Sequence, residues 1–119
     1  MKQKEQKIDL GMLKINHDVV ASIARKAALE IDGVAAVKRD VLANVAALFS
    51  HHPRYHGIDL QINDGEVAID MTLIIKYGVH IPEIAALVQE NIRKVVEDMT
   101  GLIVTAVNVN IADVQTEAS

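Results

Sequence analysis

The chain has 119 residues, half of them apolar and 24% charged, with a formal net charge of −4 and neither cysteine nor tryptophan. That composition excludes wholesale disorder, a disulfide scaffold, a thiolate metal site and a thiol nucleophile. The acidic balance and the three aromatics, Phe49, Tyr55 and Tyr77, argue against nucleic-acid binding, which draws on positive charge and stacking rings.

The longest unbroken apolar runs, Val45–Phe49 and Ile84–Val88, are too short to cross a bilayer, so no direct membrane insertion is expected. The start, MKQKEQKIDL, carries lysines but no apolar h-region, so it reads as no secretory signal. With the lack of cysteine, this fits a cytoplasmic protein. Residues 1–9 read as a flexible basic tail, residues 10–112 as a single domain, and 113–119 as a flexible acidic tail.

Leu10–Ile15 is a short β candidate. Asn16 then offers an N-cap oxygen, with Asp18 in the first turn. Val20, Ile23, Ala24, Ala27 and Ile31 form the stripe of an amphipathic helix, and Gly33 is placed to end it as the C′ residue. Val34–Lys38 reads as a strand. Asp40 is placed to cap a second short helix with apolar positions Val41, Val45, Leu48 and Phe49. The loop from His51 to Gly57 closes this region.

The clearest β signal follows. Ile58, Leu60 and Ile62 alternate with polar residues, then Asp64-Gly65 intervenes, then Val67, Ile69, Met71, Leu73 and Ile75 alternate again. Asp-Gly between two period-two runs is the type I′ hairpin signature. Pairing Asn63 with Glu66 sets Ile62 against Val67, Leu60 against Ile69 and Ile58 against Met71. A one-residue slip would turn that apolar set to the wrong face, so the register is specified. One apolar and one polar face predict a sheet covered by helices on one side.

Pro82 suits a helix's first turn. Ile84, Leu87, Val88, Ile92, Val95, Val96 and Met99 give a second helical stripe, closed by Gly101. Ile103, Val107, Val109 and Ile111 then alternate as a last strand, parallel to the strand before the helix if both share a sheet. Met71 and Met99 read as core. The order β-α-β-(α)-β-β-α-β predicts an α+β fold, a two-layer sandwich of a mixed sheet with helices packed on one face.

Two constellations could carry chemistry. His51, His52 and His56 could offer imidazole ligands to a metal or titrate together near neutrality, but Pro53 keeps them off one helical face and no finger spacing is present. The plainer reading is a solvated loop. The hairpin register also sets Asp59 opposite Asp70, a like-charge pair that could serve acid–base chemistry or a hard cation, or simply be solvated. His17 and His80 read as polar residues at helix starts. Asn108 and Asn110 place neutral amides along one sheet face, which fits a solvated face at least as well as a contact surface. There is no G-x-S-x-G elbow and no glycine-rich phosphate loop. No catalytic residue and no cofactor are expected.

From Tyr77 the chain reads YGVHIPEIAALVQENIRKVVEDMTGLIVTAVNVNIADV, and GMLKINHDVVASIARKAALEIDGVAAV precedes it. Over residues 10–114 this resembles the alkaline shock protein family, also called the Gls general stress protein family. The pieces that carry the resemblance are Tyr77-Gly78, Ile81-Pro82, Gln89, Met99-Thr100-Gly101 and Val107-Asn108-Val109. Asp40–His56 departs from it, being glycine-free and ending in histidines where the family is often glycine-rich with lysines.

The resemblance implies a non-catalytic bacterial stress-response protein that supports cell-envelope homeostasis. It implies a homo-oligomer that is cytoplasmic and held at the inner face of the membrane through a membrane-anchored protein partner. It also implies an alternative, a regulator of lipid or fatty-acid synthesis acting by protein or metabolite binding. Metal or nucleic-acid binding ranks below both.

Overall fold

The computed structural model describes residues 15–38 and 57–116. The Asp40 helix, the loop through His56, and all of the expected Leu10–Ile15 strand but Ile15 lie outside them. Ile15 itself is not in a strand.

Helix α1 spans His17–Leu29. Asn16 caps it from an extended conformation, its side-chain oxygen accepting the Asp18 N–H at 2.7 Å. Asp18 in the first turn and Lys26 in the last both complement the helix dipole. The buried face is Val20, Ala21, Ala24, Ala27 and Ala28, with Ile23 and Ile31 only partly buried. The stripe is therefore rotated from the one expected, toward its smallest side chains, which lets the helix lie close to its neighbours. Gly33 does not end the helix, because Glu30 is the C-cap. Gly33 is instead a buried turn residue at φ +112, where a Cβ would lie 2.8 Å from Ile84 Cδ1. Its carbonyl accepts the Lys76 N–H at 2.8 Å.

Strands β1 (Val34–Val37), β2 (Ile58–Asn63), β3 (Glu66–Lys76) and β4 (Ile103–Gln115) form one mixed sheet. The β2–β3 hairpin has the register expected, from Asn63↔Glu66 to Ile58↔Met71. Asp64 and Gly65 both take positive φ, 51° and 81°, as a type I′ turn requires. β3 is central. On one side it pairs antiparallel with β2 along Glu66–Met71 and with β1 along Leu73–Ile75, end to end. On the other it pairs parallel with β4 over its whole length.

Helix α2 spans Ile81–Thr100, with Pro82 in its first turn and Gly101 closing it at φ 77. It crosses from β3 to β4, and both helices cover the same sheet face. Asn91 Nδ2 joins the helices, donating to Ala27 O at 2.7 Å and Glu30 Oε1 at 3.0 Å. The core beneath them holds Ile58, Ile69, Met71, Leu73, Ile75, Val88, Ile92 and Val96.

Two further expectations are corrected. Residues 113–115, expected in the acidic tail, belong to β4 and pair with Ile74–Lys76. The register shifts at Ala112, and this bulge inverts the alternation that marks a strand in the sequence. Met99 is 67% exposed rather than core, because it lines an open groove beside α1 instead of packing beneath the helices.

Candidate functional site

Two surfaces stand out among the described residues. The first is the sheet face turned away from the helices. Asp59 and Asp70 lie directly opposite, as the register required. Asp70 also neighbours Asn108 across the parallel ladder. Asn110 Nδ2 donates to Asp70 Oδ1 at 3.2 Å, so among the described residues an amide from the next strand, not a cation, meets that carboxylate. Asp59, Gln61, Ala68, Asp70 and Asn108 line a shallow depression of about 140 Å³. At that volume, below the about 300 Å³ of a small-molecule site, the depression suits contact with another surface more than enclosure of a substrate.

The second surface is a groove of about 550 Å³ between α1 and α2. Val19, Ile23, Val95 and Met99 line it together with the polar Asp18, Ser22, Lys26 and Glu30. Val19 is 50% exposed there. The sequence stripes placed Ile23, Val95 and Met99 in the core. Period alone does not show where two helices diverge.

Sequence reasoning also missed a row on α2. Gln89, Arg93 and Glu97 recur at four-residue steps and reach the outer edge of β4. Gln89 Nε2 donates to Val107 O at 3.1 Å, and Arg93 Nη1 donates to Val104 O at 2.8 Å. Glu97 Oε2 accepts the Val104 N–H at 2.9 Å. The signal was a line of long polar residues bordering the apolar Ile92–Val96 stripe, where solvent exposure is the first reading.

Of the other candidates, His51, His52 and His56 lie outside the described residues. His17 opens α1 and His80 is the N-cap of α2, its Nδ1 3.9 Å from Glu83 Oε1. Among the described residues, no three histidine, aspartate or glutamate side chains converge on a metal position. No described helix is long and apolar enough to cross a membrane.

The arrangement defines a small α+β domain with an open sheet face and an apolar interhelical groove. The alkaline shock protein 23 family, described by its cell envelope-related function, matches residues 5–116, and the chain belongs to it. The resemblance read from the sequence is thereby confirmed. The uncharacterized protein YqhY of Bacillus subtilis is 33% identical over 115 residues, covering 97% of this chain and 85% of the relative. A stress response regulator gls24 homolog of Streptococcus pyogenes is 27% identical over 108 residues, covering 90% of this chain and 60% of the relative. Two solved structures of the MamM CTD, one a manganese form, share the fold at TM-scores of 0.50 and 0.51 with 14% and 12% identity. They cover 81% and 82% of this chain, and 93% and 99% of their own. At such identity they speak to the fold alone.

Proposed function

We propose that this chain is a non-catalytic protein of the cell-envelope stress response. It works by contact, associating with copies of itself and with a membrane-anchored protein that holds it at the inner face of the membrane. The open sheet face carries this reading. It carries the neutral and acidic side chains Gln61, Ala68, Asp70, Asn108 and Asn110, and its depression of about 140 Å³ is smaller than a small-molecule site. The family's cell envelope-related function supports the same reading.

The test is light scattering after size exclusion, paired with crosslinking in the native host. The proposal expects a species larger than the monomer and an enriched membrane-anchored protein. A strict monomer that enriches no envelope protein refutes it.

The apolar α1–α2 groove favours the second reading, regulation of lipid synthesis through an acyl-chain metabolite. Titration with a fluorescent acyl chain tests it. Saturable binding that Met99→Gln weakens supports the metabolite reading, and no saturable binding removes it.

A further inference from the structure

A sheet edge presents unpaired N–H and C=O groups and is a template for another strand. The outer edge of β4 has no strand beside it among the described residues. Its first half is nonetheless closed, because Glu97, Arg93 and Gln89 occupy the outward groups of Val104 and the Val107 carbonyl. The next position in that row is Ala85, too short to reach the strand.

Backbone groups alternate between the two edges of a strand. A register shift at Thr105 resets the phase after Val104, so the Val107 carbonyl again points outward, and with it the N–H and C=O of Val109 and Ile111. Ala112 is then a bulge, which interrupts the edge. The open window is therefore bounded by the Gln89 contact at Val107 and the bulge at Ala112, and it is centred on Asn110.

That window is self-complementary. We infer that two copies of this chain pair antiparallel through the outer edges of β4, with Asn110 facing Asn110 on the two-fold axis. This rests on the self-association proposed above and names the surface that performs it. Val109 of each copy then opposes Ile111 of the other, and each such pair exchanges both N–H···O bonds. Asn110 opposite its own copy is a non-hydrogen-bonded pair, as its inward-pointing backbone requires.

The side chains agree with the backbone. Val109 and Ile111 lie on the helix-covered face beside Met71 and Leu73, so apolar meets apolar across the joint. Asn110 lies on the open face, and its bond to Asp70 leaves a second N–H and a carbonyl for the facing amide. No residue from Ile103 to Ala112 is charged, so the edge lacks the lysines that commonly keep strands apart. The joint would make the open faces of two copies continuous.

The absence of cysteine makes a direct test simple. A non-hydrogen-bonded pair sets Cα atoms about 4.5 Å apart, within the about 4.4–6.8 Å that a disulfide spans. Asn110→Cys should therefore oxidise to a covalent dimer. Asn108→Cys should not, because its two copies would lie about 13 Å apart along the strands. Val109→Pro removes an outward N–H that β3 does not use, and should raise the dimer dissociation constant at least about tenfold with the helical circular dichroism retained.

If Val109→Pro does not fold, the two cysteine variants decide alone. Wild-type dimers with no preference for Asn110→Cys over Asn108→Cys overturn this interface while leaving self-association standing. A wild type that is monomeric at about 1 mM, the weak end of specific affinity, overturns the interface as well. Enrichment of a membrane-anchored protein by that monomer would keep the rest of the functional reading.

Discussion

Glu97→Ala is a sharp probe of how β4 is held. The Glu97 carboxylate accepts the Val104 N–H at 2.9 Å, and Val104 is 1% exposed. Removing the carboxylate takes the charged acceptor from a part-buried donor at the strand edge. A hydrogen bond to a charged group contributes about 1.5–3 kcal/mol. Alanine's better helix propensity returns only a few tenths, so the net loss is about 2 kcal/mol. With about 2.1 cal/mol/K of unfolding entropy per residue, a 119-residue chain shifts its melting midpoint about 4 °C per kcal/mol. Glu97→Ala should therefore melt about 8 °C below wild type in a circular-dichroism scan. Glu97→Gln keeps an oxygen acceptor without the charge, and since charge roughly doubles such a bond, it should lose about half as much. A Glu97→Ala midpoint within about 1 °C of wild type would refute the claim that this side chain satisfies the strand edge.

Other outcomes follow from the same geometry. Gly33→Ala forces a Cβ to within 2.8 Å of Ile84 Cδ1 at φ +112, and should lower urea stability by about 1–3 kcal/mol with an unchanged denaturant slope. Asp70→Asn relieves the like-charge pair with Asp59 and should raise stability by about 0.2–1 kcal/mol; a loss would mean that the carboxylate is needed where it stands. Met99→Gln changes a side chain that is 67% exposed and should alter stability by no more than about 0.5 kcal/mol, whereas a core methionine would cost far more.

The hairpin was fully legible in the sequence, because alternation on both sides of Asp64-Gly65 leaves one register that turns Ile58, Leu60 and Ile62 to the same face. Helix α2 was legible too, from a stripe that Pro82 opens and Gly101 closes. The end of β4 was not, since the bulge at Ala112 reverses the phase of alternation and made 113–115 look like tail. Nor was the placement of β1 on the same side of β3 as β2, which depends on long-range pairing that local pattern does not encode. The Asp59–Asp70 pair came directly from the register, but its Asn110 contact needed the parallel pairing of β3 with β4. The edge contacts of Gln89, Arg93 and Glu97 were hidden for a chemical reason. Long polar side chains on a helix look solvated until a strand edge is found beneath them.

The central claim is that the chain acts by contact through its open sheet face. Capture from crosslinked cells of the native host, comparing wild type with Gln61→Arg/Asn108→Arg, tests it most directly. Both replaced residues are exposed on that face, so the variant should keep the wild-type melting midpoint. Wild type should enrich a membrane-anchored envelope protein, and the variant should lose it. Equal recovery by both, or no envelope protein with wild type, would contradict the account.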